Sequence, residues 1–207
     1  SFVKGNLALK YPSLNELFEA SEKSQVEVHI SGLGLDIQDF FVFQPDLSKN
    51  EYLESLARRP VSGYLRANGT LADIEISDLK LAWGEQTELL AEGRLGHIFQ
   101  GDSLSFDFDP VQATTTRSDV LTFVSEEALG VSFPQTMAVD ITARGSINEF
   151  VADAQLNLPA GKAELTGSYS NNEEIAFDAN LKVDSVQLNK LLLNDQLGEV
   201  SFTMDVS

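Results

Sequence analysis

The stretch Phe177-Asp-Ala-Asn-Leu-Lys-Val183 decides the fold class. Phe177, Ala179, Leu181 and Val183 alternate with Asp178, Asn180 and Lys182. Successive side chains on a strand point to opposite faces, so this run has one apolar and one polar side. The same period recurs away from it in both directions. Downstream, Val200, Phe202, Met204 and Val206 alternate with Ser201, Thr203 and Asp205. Upstream, Phe106 and Phe108 alternate with Asp107 and Asp109. Leu79, Leu81 and Trp83 alternate with Lys80 and Ala82, and Val26, Val28 and Ile30 with Glu27 and His29. Strands with one wet face mark antiparallel sheet; buried parallel strands read as continuous apolar runs.

Four short helical patterns interrupt the strands. Leu14, Leu17 and Phe18 follow the capping box Ser13-Leu-Asn-Glu16. Leu53 and Leu56 follow Ser48-Lys-Asn-Glu51, with Pro60 beyond the end. Val120, Leu121 and Val124 form a third stripe, and Leu188, Leu191 and Leu192 a fourth before Gly198. Two turns of helix do not persist alone, so each is expected to plug an open end or side of a sheet. Asn68-Gly69, Pro159-Ala-Gly161 and Asn171-Asn172 signal turns.

These parts recur in order. A unit of one helix and four strands occupies residues 48–110 and again 119–184. Leu53, Leu121 and Leu188 are spaced 68 and then 67 residues apart. Gly69 and Gly145 are 76 apart, and Gly93 and Gly167 are 74 apart. A strand-rich repeat cannot bury its apolar face alone, so neighbouring units stack. Residues 1–207 therefore read as a single continuous repeat-built segment. Both ends fall inside strand patterns and the first residue is Ser1, so the segment is read as a piece of a longer protein.

Charge narrows the partners. The net charge is −18, with 14 Lys and Arg against 32 Asp and Glu. Nucleic acid binding needs a basic stripe, so nucleic acid is not an expected partner. An anionic lipid surface is disfavoured for the same reason. Cysteine is absent from the sequence, which excludes disulfides and thiolate metal sites. No apolar run approaches the roughly 20 residues that span a bilayer.

No catalytic constellation emerges, and the chain is not expected to be an enzyme or to hold a metal or cofactor. His29 falls on a polar strand face and His97 near a turn. A nucleophile elbow, a phosphate loop and a metal-spaced His pair are all missing. Asp102, Asp107 and Asp109 suggest a calcium site, but the glycine and terminal Glu of an EF-hand loop are lacking. Alternation on a wet strand explains them better. Glu126-Glu127 and Glu173-Glu174 read as surface, and Asn68-Gly-Thr70 as a turn rather than a glycosylation site. A carboxylate glycosidase is the weakest rival, because its acid pair has no placement.

The apolar strand faces are the remaining signal. The candidate groove residues are Leu79, Leu81, Trp83, Phe106, Phe108, Val139, Ile141, Leu156, Leu158, Leu165, Phe177 and Leu181. They suit a closed sandwich or barrel core. Composition alone favours that closed core; the rival is an open, curved sheet whose concave face accepts something apolar.

The run Val131-Ser-Phe-Pro-Gln-Thr-Met-Ala-Val-Asp-Ile-Thr-Ala-Arg-Gly-Ser-Ile-Asn-Glu-Phe150 resembles the TamB family, the translocation and assembly module proteins of the AsmA-like group. So does Ala152-Asp-Ala-Gln-Leu-Asn-Leu-Pro-Ala-Gly-Lys-Ala-Glu-Leu-Thr-Gly167. Val183-Asp-Ser-Val-Gln-Leu-Asn-Lys-Leu-Leu-Leu-Asn-Asp-Gln-Leu-Gly-Glu-Val-Ser201 is similar to TamB-like proteins of Bacteroidetes, and Val3-Lys-Gly-Asn-Leu-Ala-Leu-Lys-Tyr-Pro-Ser-Leu14 also fits. The resemblance implies a long periplasmic protein anchored in the inner membrane. It implies a mainly β, taco-like antiparallel sheet with an open apolar groove and a few short capping helices. It further implies phospholipid transport between the membranes, with weak, sliding contact to acyl chains and a role in outer-membrane biogenesis. A TamA-type outer-membrane barrel would be engaged by parts of the full-length protein outside this segment. The rival expectation is a structural spacer or scaffold with a closed core.

Overall fold

The computed structural model describes residues 1–11, 13, 24–70, 72–98, 103–158, 161–171, 175–187 and 198–206. The expected helices at Leu14–Phe18 and Leu188–Leu192 lie outside these residues, as do Asp102, Pro159, Asn172 and Glu173-Glu174.

Eleven strands form one antiparallel sheet in chain order. They are β1 (Phe2–Lys10), β2 (Gln25–Leu35), β3 (Val61–Thr70), β4 (Ile74–Trp83), β5 (Thr87–Gly96) and β6 (Ser105–Thr116). Then come β7 (Thr136–Ser146), β8 (Glu149–Leu158), β9 (Gly161–Ser170), β10 (Ala176–Gln187) and β11 (Glu199–Val206). The sheet does not close into a barrel, so β1 and β11 are edges. All eleven strands belong to this sheet, and among the described residues no second sheet lies against either face. The closed sandwich or barrel is thereby excluded as the architecture. The exposed area supports this. It is 13505 Å² for 22.6 kDa, against about 9,500 Å² for a compact chain of that mass.

Short helices occupy connections at one end of the strands. Between β2 and β3 run α1 (Gln38–Phe43), a 3-10 turn (Pro45–Lys49) and α2 (Glu51–Leu56). Between β6 and β7 run α3 (Arg117–Val120) and α4 (Glu126–Leu129). Four strands separate the two helical connections. The α2 cap differs from the expected box. Asn50 Oδ1 accepts from the amides of Tyr52 and Leu53, while Ser48 Oγ donates to the Pro45 carbonyl instead. The 3-10 turn at Pro45 draws Ser48 inward and leaves Asn50 as the first extended residue before the helix. The third expected helix is shorter than its stripe: α3 ends at Val120, and Leu121–Phe123 form a turn. Asn68-Gly69 is no turn either; both residues belong to β3.

Bulges recur along the sheet. Ser31-Gly32 in β2, Ser77-Asp78 in β4, Asp109-Pro110 in β6 and Asp184-Ser185 in β10 interrupt the pairing register. A bulge bends its strand and increases local twist, which curves an open sheet. Pro110, with no amide to donate, is tolerated there. Gly69 and Gly145 sit at matching places in β3 and β7, with φ of 145° and 140°. A Cβ at either would lie 2.2 Å from the carbonyl oxygen of Asp73 or Glu149, so only glycine fits.

Candidate functional site

Strand register assembles the candidate face. Residues directly opposite in a ladder share a face, so the pairings can be followed across the sheet. One such row reads Gly5, Ile30, Leu65, Leu79, Ala91, Val111, Ile141, Ala154, Leu165, Leu181 and Met204. It crosses all eleven strands without a polar side chain. A neighbouring row crosses them from Leu7 and Val28 through Ile76, Gly93 and Phe108 to Ala179 and Val206. Another runs from Val3 and Leu33 through Leu81, Val139 and Leu156 to Val183 and Phe202. The fourth contains Leu9, Val26, Ile74, Leu95, Phe106, Phe150, Tyr169 and Phe177. No residue of these rows is charged.

All twelve candidate residues lie on this face. Leu81, Val139 and Leu156 stand in the row nearest the helices, and Leu79, Ile141, Leu165 and Leu181 in the next. Phe108 and then Phe106 and Phe177 follow toward the opposite rim. Trp83 and Leu158 stand at the helical rim, two residues beyond Leu81 and Leu156. The register adds residues that the sequence reading did not single out, notably Ile76, Val111, Phe150, Tyr169 and Met204.

The bulges keep these rows intact. Ile30 and Leu33, Ile76 and Leu79, Phe108 and Val111, and Val183 and Val186 are each three apart, not two. Strict alternation would put the members of each pair on opposite faces. The two intervening residues in each case absorb the extra position.

Exposure varies along the face. Ile76 is 8% exposed, and Val26, Ala67 and Ala91 are also buried, in the β2–β5 stretch. Toward β11 the face opens: Leu165 is 46%, Phe177 54% and Met204 47% exposed. Aromatic rings gather at the rim away from the helices. Phe106 and Phe150 lie 6.1 Å apart, and Phe150 and Tyr169 5.3 Å, between ring centroids.

The other rim is closed by the helical connections. Trp83 Nε1 donates to the Leu56 carbonyl at 2.8 Å, and its ring lies 5.1 Å from Phe123. Asp119, 1% exposed, ties the connections together. Its carboxylate accepts from the amides of Glu85 and Gln86, from Thr87 Oγ1 at 2.7 Å and from Arg59 Nη1 at 3.0 Å. Gly84 makes room, since a Cβ there would lie 2.2 Å from Asp119 Oδ1. Burial by itself raises the Asp119 pKa; the two amides, the Thr87 hydroxyl and Arg59 outweigh it and hold the group below its ordinary value. Glu126 is held low chiefly by Arg117, which grips it with Nε and Nη2, and also by the Phe133 amide at 2.6 Å. No sequence motif marked Asp119 as a latch, because its partners come from two other connections.

The opposite sheet face is polar. There His29 stands between Asn6 and Arg66. Glu75, Arg94, Asp107 and Arg144 form a row of alternating charge across β4 to β7. Asp107 thus faces two arginines rather than other acids. His97 Nδ1 lies 3.2 Å from Ser105 Oγ. Among the described residues no group of three or more His, Asp or Glu is arranged to hold a metal. Nor is any described helix long and apolar enough to cross a membrane.

Comparison with family models, with curated proteins and with solved structures gives no match.

Proposed function

We propose that this chain lines part of an apolar groove that shields phospholipid acyl chains from water, as a segment of a TamB-like envelope protein. The observation that carries this reading is the set of uncharged rows crossing the whole sheet on a face that opens toward β11. Exposed apolar area of this extent marks an interaction surface. Burial contributes about 25 cal/mol per Å², without directionality, so a chain is attracted yet free to slide. Eleven strands extend the rows to about 50 Å at ~4.8 Å per strand. The TamB resemblance supplies the rest of the proposal: a periplasmic setting, an inner-membrane anchor and a TamA-type barrel as partner, both through parts of the protein beyond this segment. No catalytic step belongs to this role.

The buried β2–β5 stretch favours a second reading, a structural spacer whose apolar face is filled by its own side chains. One substitution separates the two. Phe177→Asp places a carboxylate at an exposed position in the aromatic row. In a lipid groove the variant keeps its melting temperature and captures less photo-crosslinkable phospholipid than the parent. In a spacer the parent captures none, and the substitution at this exposed position changes neither capture nor melting temperature.

A further inference from the structure

We infer that lipid sits in the groove with a fixed polarity across its width, headgroup at the aromatic rim and chain ends toward the helical cap. The inference rests on the groove reading above and adds an orientation to it. The two rims differ in what they offer a polar group. At the cap rim, Trp83 is buried, its indole N–H is already bonded to the Leu56 carbonyl, and its ring lies against Phe123. The Asp119 carboxylate there is fully engaged by its own partners. A phosphate placed against Trp83 and Asp119 would lose water and meet a buried carboxylate, and Arg59 beside them is already paired with Asp119 and Glu85, which is unfavourable.

The aromatic rim is different. Ile147 and Ile175 stand exposed beside it, in the β7–β8 and β9–β10 connections. Tyr169 brings a phenol to the end of an otherwise apolar row, beside Phe150 and Phe177. Aromatic rings with a polar tip are suited to a boundary between hydrocarbon and headgroup. The dimensions agree. Ile74–Trp83 covers ten residues from rim to rim, about 30 Å along the strand, whereas one leaflet of hydrocarbon is about 15 Å deep. A lipid anchored at the aromatic rim keeps both chains inside the uncharged rows.

Trp83 is the single tryptophan of the chain, which gives a built-in reporter at the cap. A phosphatidylcholine carrying a spin label near the chain terminus is compared with one labelled beside the headgroup. With ~15 Å of hydrocarbon between the two labels, the terminal label lies nearer the cap and is expected to quench Trp83 more than the headgroup label does. A second protein, Phe177→Trp in a Trp83→Phe background, moves the reporter to the aromatic rim and is expected to reverse the order. Should that double variant fail to fold, Tyr169→Trp in the same background takes its place. Equal quenching by both labels, or the opposite order, overturns the polarity and leaves the groove reading standing. No quenching of either reporter by either label overturns the groove reading itself, and the polarity with it.

Discussion

Asp119 shows how one side chain can hold an end of an open sheet. It stands in the β6–β7 connection, yet its partners lie in the β4–β5 turn and at Arg59 of the β2–β3 connection. Removing it leaves two amides and a guanidinium without their acceptor. Asp119→Ala is therefore expected to cost about 3 kcal/mol, read as a lower urea midpoint. The pH dependence follows from the depressed pKa values of Asp119 and Glu126. A carboxylate with a lowered folded pKa contributes stability that is present above its unfolded pKa and lost as pH falls through the folded value. The cap should accordingly loosen below about pH 4, with Trp83 fluorescence shifting before the strand signal is lost. A Trp83 signal unchanged to the point of global unfolding would contradict this. Glycine makes a second test at this scale. Gly145→Val adds a steric clash to its strained φ, whereas Gly130, with φ of 68°, has open space around its Cβ. Gly130→Ala should cost only about 1–2 kcal/mol and Gly145→Val clearly more. Equal losses would remove the argument from close approach.

At the scale of elements, the strands were legible where alternation is strict. Phe177 to Val183 and Val200 to Val206 carry their faces openly. The bulges were not legible, because a three-residue apolar spacing in a strand resembles a change of face. Ile76 and Leu79 share a face only because Ser77-Asp78 absorbs a residue in β4. Deleting Ser77 tests this directly. The shorter strand would pair regularly, with Ile76 and Leu79 two residues apart, so both stay on the apolar face and only the local bend is lost. A melting temperature near the parent's is expected, whereas deleting Lys80, which makes Leu79 and Leu81 adjacent and sets them on opposite faces, lowers it sharply. A Ser77 deletion as damaging as the Lys80 deletion would mean that the bulge does not absorb the extra residue. The helices were read less well. α1 left no clear stripe in the sequence, since Phe40, Val42 and Phe43 are all exposed. The Asn50 cap was missed because a box spaced correctly from Ser48 to Glu51 competes with a 3-10 turn that only Pro45 announces.

Over the whole molecule, an open sheet with one uncharged face is an unusual state for a chain this acidic. The described acidic residues sit on the opposite face, in the connections and at the rims, which keeps the apolar rows free of charge. The candidate face was legible as a set of strands, because parity survives within each strand. Its continuity was not, because a row is a property of register between strands, and register is set by bulges and connections. The central claim is that this face, and not its reverse, receives acyl chains. Neighbouring residues on one strand provide the internal control, since Leu81, Ile141 and Leu165 stand on the apolar face while Lys80, Asp140 and Glu164 stand on the polar one. The most direct measurement is a residue-level map of crosslinks from a phospholipid carrying a photoreactive group in its acyl chain. Adducts on Leu81, Ile141 and Leu165 with none on Lys80, Asp140 and Glu164 are expected; adducts on both sets alike, or on neither, would contradict the claim.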